Sequence, residues 1–144
     1  MRAAYHEDAV DNHGPFNGPV AAYFEWVEQH HEYYDVVMHL MGAANIDFIS
    51  DDVAFAETYC LLIQRMRPET TYNSEVRLHV TTACRYVDRF ELREGKWKIA
   101  RRDIVYEWLR KEWHAEHAAP DNLPAGFQRG LRSQEDTVYA ARTL

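Results

Sequence analysis

The sequence predicts an α+β domain: one strongly curved antiparallel sheet, cone-shaped and closed by N-terminal helices. Three observations predict it. Arg85 to Trp108 reads as an alternating segment, a Glu94-Gly95 turn and a second alternating segment. Two further strand-like segments flank a Ser50-Asp51-Asp52 turn. Ahead of all of them lies a stretch with helical spacing. Period-two alternation on both sides of a glycine-bearing turn is the mark of an antiparallel hairpin. Helical elements followed by a run of strands make an α+β domain.

Taken in order, Met1 to Tyr5 reads as a last helical turn. Asp11-Asn12-His13-Gly14-Pro15 and Asn17-Gly18-Pro19 are turn clusters. Pro19 suits a helix start, where its missing N–H would have had no partner. From Val20 to about His31, Val20, Tyr23, Phe24, Trp26 and Val27 form an apolar stripe with Glu25, Glu28 and Gln29 outside it. Val36 to Ile49 is the first long strand, with a bend expected at Gly42 because an internal strand glycine often marks a bulge. Val53 to Gln64 pairs with it. Arg67 to Ser74 is a polar loop, and Glu75 to Leu92 and Trp97 to Trp108 form the long hairpin. On its first arm Cys84, Tyr86, Phe90 and Leu92 alternate with Arg85, Arg89 and Glu91. On its second, Trp97, Ile99 and Val105 alternate with Lys98, Ala100, Arg102 and Ile104. Residues 109–144, with Pro120, Pro124 and Gly126, read as a tail that wraps the body or a neighbour and buries Phe127, Leu131, Val138 and Tyr139.

The run Asp88 to Arg102, D-R-F-E-L-R-E-G-K-W-K-I-A-R-R, resembles the terminal hairpin of the SnoaL-like branch of the nuclear-transport-factor-2-like superfamily. Tyr5 to Pro19 resembles that branch's first short strand and its entry into a helix. Ala56 to Tyr59 resembles its next sheet strand, and Gly130 to Tyr139 its C-terminal tail. The resemblance spans nearly the whole chain, 1–144, as a single domain. It implies a cystatin-like α+β roll. It also places the family's first helix ahead of Met1, so that helix is expected to be missing from this sequence.

Composition narrows the function classes. A chain of 144 residues, 47% hydrophobic and 27% charged, is one globular domain able to bury its own core. A net charge of −7 argues against nucleic acid, which selects basic faces. No apolar run approaches a membrane span and no signal peptide opens the chain, so the expected location is the cytoplasm, with no membrane partner. Cys60 and Cys84, both in strand-like segments, read as buried free thiols. His30-His31 and His114-Ala115-Glu116-His117 are the tight histidine clusters. Adjacent helical residues diverge by about 100°, and no third ligand accompanies His114 and His117, so no metal is expected. Phosphate-binding, dinucleotide-binding and serine-nucleophile motifs are lacking, and no cofactor is implied.

Two residues are candidates for chemistry. His39 stands between Val37, Met38, Leu40 and Met41. An imidazole in an apolar pocket stays neutral near pH 7 and so accepts a proton, although a lone strand histidine is more often a core residue. In dehydratase- and dehydrochlorinase-like members the matching histidine is the general base, a role the resemblance implies for His39. Those members orient it with an aspartate on the first helix, which here would fall ahead of Met1. Asp11 and Asp35 are the nearest substitutes. Arg102 matches a pocket arginine that stabilises a departing or developing anion in lyase-type members. The plainer reading is that Arg101 and Arg102 both pair with surface acids. Since neighbours on a strand point oppositely, only one of the two can face a pocket. Tyr5, Phe16, Trp26, Tyr86, Tyr106 and Trp108 are candidate aromatic walls, suited to flat ligands.

The sequence thus leads to a cofactor-independent lyase or isomerase acting on a small hydrophobic cyclic or aromatic ligand. The alternative is a non-catalytic binding or assembly module, such as an oxygenase small-subunit-like protein. In either case the uncovered sheet face suggests a homodimer or higher homo-oligomer.

Overall fold

A computed structural model describes residues 1–67, 76–115, 124–131 and 133–141. A 3-10 turn over Arg2–Ala4 leads into β1 (Tyr5–Asn12) and the short β2 (Asn17–Pro19). Helix α1 (Val20–His31) follows, and then four long strands: β3 (Tyr34–Phe48), β4 (Val53–Met66), β5 (Val76–Arg93) and β6 (Lys96–Ala115). A single turn, α2 (Thr137–Ala140), ends the described chain. All six strands form one curved sheet in the order β2-β1-β6-β5-β4-β3. β3 to β6 is an antiparallel meander, while β1 adds to the outer side of β6 in parallel. The architecture is the predicted α+β roll.

Local sequence explains most of these elements. Helix α1 starts directly after Pro19 and buries Val20, Tyr23, Phe24 and Val27, one side of the expected stripe, against Tyr5, Ala9 and Ile99. Each of those side chains contributes about 1.5–3 kcal/mol when taken out of water. The β5–β6 hairpin turns on Glu94 (φ 52°) and Gly95 (φ 73°), the two positive-φ positions that a tight, twist-matched hairpin loop demands. In β3 the register shifts between Met41 and Ala44, so Gly42 and Ala43 together face one β4 residue, the bulge expected at Gly42.

Two features depart from the expected alternation. β6 carries two bulges: Ala100 is extra between Ile99 and Arg101, and Glu107 is extra between Tyr106 and Trp108. The first moves Arg102, Ile104 and Tyr106 onto the face of Ile99, so Ile104 is buried and Val105 is exposed, the reverse of the sequence parity. The second turns Trp108 to the opposite face, where it is 49% exposed. β6 also continues through Ala115, past the predicted strand end at Trp108, paired with β5 as far as Val76↔Ala115. The loop expected at Arg67 to Ser74, apart from Arg67, and Pro120 and His117 lie outside the described residues. In the described part of the tail Phe127, Leu131, Val138 and Tyr139 are exposed on the single chain rather than buried against it.

Candidate functional site

The concave face of the sheet and one side of α1 enclose a cavity of about 550 Å³. Its far wall is the inner face of β3 to β6, where Val37, His39, Leu62, Gln64, Leu78, Val80, Thr82, Cys84, Tyr86, Ile104 and Tyr106 point inward. Its near wall is made by Tyr23, Trp26, Val27, His30 and His31 of α1, with His13 and Pro15 from the β1–β2 connection. The lining is mostly apolar and aromatic with a few polar groups, the composition of a small-molecule pocket.

His39 lines this cavity from β3, directly across the register from Leu62. Although exposed on the single chain, its ring is desolvated by the cavity walls, and this, followed by the nearby His31 and His13, lowers its pKa below the ordinary imidazole value. A lowered pKa keeps the ring neutral and able to accept a proton at pH 7. The carboxylates proposed to orient it are engaged elsewhere. Asp35 accepts from Arg65 Nε at 2.8 Å and from Arg77 Nη1 at 2.7 Å.

Asp11 is fully buried, and it serves a different histidine. Its Oδ1 accepts from His13 Nδ1 at 2.8 Å and its Oδ2 from the Tyr5 hydroxyl at 3.0 Å. The alternation of β1 brings this about: Tyr5, Ala9 and Asp11 fall on its buried face, and the chain then turns at Gly14 so that His13 folds back over Asp11. With Nδ1 held by Asp11, the ring turns Nε2 to the other side, 3.3 Å from the Tyr23 hydroxyl. His13 stacks on Tyr23 with ring centroids 4.7 Å apart. Gly14 has φ 75°, and a Cβ there would approach Tyr106 Cε2 to 2.9 Å. That closeness lets the Tyr106 hydroxyl donate to the His13 carbonyl at 3.2 Å. Burial pushes the Tyr23, Tyr86 and Tyr106 phenols up, so all three remain protonated hydrogen-bond donors.

Arg102 reaches the cavity floor, and Arg101 points away to pair with Asp103 at 2.7 Å. The guanidinium of Arg102 grips Asp88 through Nε (2.7 Å) and Nη2 (2.6 Å), and lies over the Tyr86 ring at 4.4 Å and the Tyr5 ring at 5.5 Å. Asp88 is 3% exposed. Arg102 thus faces the cavity and is paired with an acid, but a buried one rather than the surface acid expected; burial works against its charge, and the Asp88 pair more than offsets it and raises its pKa.

Of the predicted aromatic walls, Trp26, Tyr86 and Tyr106 line the cavity. Tyr5 lies beneath it in the core, bonded to Asp11. Phe16 packs behind the wall against Trp26, with centroids 5.8 Å apart. Trp108 is displaced to the outer face by the Glu107 bulge. Composition and parity missed His13, Tyr23, His30 and His31. The signal for the first was present: Asp11 and His13 are two apart, the spacing that puts strand residues on one face. Cys60 and Cys84 are free, buried and directly opposite one another, and burial together with the Cys60 neighbour pushes the Cys84 thiol up to about 11. Among the described residues no group of three or more His, Cys, Asp or Glu is arranged to hold a metal ion, and no helix is long and apolar enough to cross a membrane.

The fold and cavity can now be set against known proteins. A hexachlorocyclohexane dehydrochlorinase, LinA type 2, superposes with a TM-score of 0.64 over 87% of this chain and 78% of that one, at 17% identity. A candidate scytalone dehydratase from Novosphingobium aromaticivorans superposes with a TM-score of 0.62 over 88% of this chain and 78% of that one, at 22% identity. A Nostoc punctiforme protein of unknown function with a cystatin-like fold gives a TM-score of 0.55 over 73% and 72%, at 16% identity. No curated protein matches the sequence. At these identities the likeness is one of fold. Residues 1–103 match the SnoaL-like domain, which is more than half of the chain, and the protein belongs to the SnoaL-like family.

Proposed function

We propose that this SnoaL-like protein is a cofactor-independent lyase or isomerase that moves a proton on a hydrophobic cyclic substrate. The observation that carries the reading is His39, a neutral imidazole facing a mostly apolar cavity of about 550 Å³. A base in a partly dry pocket removes a proton next to an activating carbonyl, and the anion that develops needs a nearby donor. The Tyr86 and Tyr106 phenols and the Arg102 guanidinium line the cavity and would supply it. Elimination is also the chemistry named for the dehydrochlorinase and the candidate dehydratase that share the fold. The proposed location remains the cytoplasm.

The test is deuterium exchange followed by proton NMR. Cyclic ketones incubated with the protein in heavy water are expected to exchange at the carbon beside the carbonyl, and His39→Gln is expected to slow that exchange at least a hundredfold. Quenching of tryptophan fluorescence by the same ketones without any exchange would leave a binding module instead.

The partner that suits the outer face is a second copy of the chain. Leu40, Leu61, Ala83 and Trp108 stand in one row across four strands, beside Met38 and Ile63 in the next row. Leu40 is 52% exposed. Such contiguous apolar surface on a small domain normally finds cover. Light scattering should give a dimer or larger, and Leu40→Glu with Trp108→Glu should give a monomer. A wild-type monomer at high micromolar concentration would end the idea.

A further inference from the structure

The lining of the cavity has one sign of charge. Its basic side chains are Arg102, Lys111, His13, His30, His31 and His39, and no aspartate or glutamate among the described residues lines it. The chain as a whole carries −7. Part of this basic lining is answered from behind: Asp88 grips Arg102 and Asp11 holds His13. Lys111 is different. Its strand neighbours Arg110 and Glu112 point the other way and pair at 3.2 Å, while Lys111 turns inward with no ion pair among the described residues. Beside it lies a second unused group. Val80 stands opposite Lys111 and Thr82 opposite Leu109, so Thr82 and Lys111 are diagonal neighbours on the inner face. Diagonal neighbours are about 7–8 Å apart at the backbone, within reach of a long side chain. Thr82 lines the cavity, is 3% exposed, and its hydroxyl makes no hydrogen bond among the described residues. A buried hydroxyl without a partner is costly, and in a native fold it calls for one.

We infer that Lys111 and Thr82 form an anchor for a carboxylate, and that the ligand class is a cyclic or aromatic carboxylic acid bound as its anion. This rests on the cyclic-ligand reading above and narrows it. The ammonium supplies a charge and three donors and the hydroxyl one more, enough for both oxygens of a carboxylate. Leu62, Leu78, Val80 and Leu109 keep the surroundings apolar, which strengthens a charge-assisted bond. The spacing to His39 fits a ring. His39, Leu62, Thr82 and Leu109 stand in one row across β3, β4, β5 and β6. Two strand spacings, about 10 Å, therefore separate His39 from Thr82 at the backbone. A carboxylate-bearing ring held by Lys111 and Thr82 covers the space between the two side chains, with its far edge toward His39. Tyr23 and Trp26 of α1 offer flat faces to such a ring. A neutral ligand of the same shape would leave the lysine charge and the threonine hydroxyl without partners, so the two groups select for the acid.

The test is binding, read by quenching of tryptophan fluorescence, with 2-naphthoate and its uncharged counterpart 2-naphthamide as probes. The wild type is expected to bind naphthoate at least about tenfold more tightly than naphthamide, and added salt should shrink that preference. Lys111→Met should weaken naphthoate by about 10- to 100-fold and leave naphthamide within about threefold. Thr82→Val keeps the side-chain shape and should weaken naphthoate by about 3- to 10-fold. In the ligand-free protein the same variant should leave the urea midpoint unchanged or higher, because the hydroxyl it removes has no partner. Lys98→Met removes a like charge outside the cavity lining and should leave both probes within about twofold. Equal binding of the two probes, or equal losses in Lys111→Met and Lys98→Met, would overturn the anchor. A Thr82→Val variant that loses stability would show a structural hydroxyl and overturn its part in the anchor. The proton-transfer reading is judged separately, by the ketone exchange. A wild type that exchanges the ketones but binds neither probe would sink the anchor alone, and one that does neither would sink both.

Discussion

The two walls of the cavity carry one chemical group, imidazole, in two kinds of setting. On the wall made by β1 and α1, His13 is locked by a fully buried aspartate, a tyrosine hydroxyl beneath that aspartate and a stacked Tyr23. On the β3 wall, His39 stands on an edge strand whose neighbours Met38, Leu40 and Met41 are exposed in the single chain. The difference lies in what each ring is given as a partner. Around His13 the protein supplies a buried carboxylate that holds the ring by its Nδ1. Around His39 it supplies only desolvation and two further histidines, which disfavour the imidazolium. One pocket thus presents the same residue type in two different settings.

Removing the counter-charge should have the largest effect. Asp11→Asn keeps the shape of the site and abolishes the anion. Stability should fall by about 3–6 kcal/mol in a urea titration, since two hydrogen bonds to a buried charged acceptor, from His13 and Tyr5, are worth roughly 1.5–3 kcal/mol each. Asp47→Asn on the β3 wall changes the same kind of group outside the cavity lining and should leave stability within about 0.5 kcal/mol. If the two variants behave alike, the walls are not differentiated by Asp11.

The floor joining the walls should respond through stability. Arg102→Met leaves Asp88 buried without its partner and should cost about 3–5 kcal/mol in a urea titration. Arg102→Met combined with Asp88→Leu removes both charges and should recover most of that loss. If the double variant is no more stable than the single one, the pair is held by something other than mutual compensation.

What was legible in the sequence follows from how locally each feature is encoded. Val20–His31 carries its own apolar stripe and its own start signal at Pro19, and the structure forms that helix over those residues. Glu94-Gly95 and Gly42 announce their turn and bulge through glycine. Ala100 and Glu107 announce nothing: an extra residue at either position is chosen by the pairing of β6 with β5, so alternation read through Ala100 put Val105 rather than Ile104 on the face of Ile99. The parallel contact of β1 with β6 joins residues about 90 apart, as in Asp11↔Arg102, and no local pattern encodes it. For the site, His39 and Arg102 were legible through family resemblance. The partner of Asp11 was legible from spacing alone, but Asp11 to Pro15 read as a turn, and a turn reading hides which side chains share a face.

Gly14 tests whether the preorganised wall depends on its backbone. Gly14→Ala places a side chain at φ 75° and drives a Cβ to 2.9 Å from Tyr106. The variant should lose about 1–3 kcal/mol of stability. The displaced Tyr106 should also release the His13 carbonyl. A loss below about 0.5 kcal/mol would show that the wall yields around the new side chain without strain.

The smallest effect should come from the β3 wall and appear as pH dependence of stability. The folded pKa of His39 is lowered relative to its unfolded value near 6.5, so the unfolded chain binds the proton more readily. Its contribution is therefore fully present above pH 6.5, is lost as pH falls from 6.5 through the folded pKa, and levels off below it. His79 is lowered as well, by burial and then by His114 and Arg65, and carries the same sign. Urea titrations at pH 7.5 and 5.0 should show the wild type losing stability on acidification. His39→Gln should lose less, and His39→Gln with His79→Gln less again. Glu91 and Asp103, whose arginine partners lower their pKa values, act below about pH 4.5 and leave this window clear. A His39→Gln variant with the full wild-type slope would mean that the cavity does not disfavour the His39 cation, and the two walls would then differ in partner but not in charge preference.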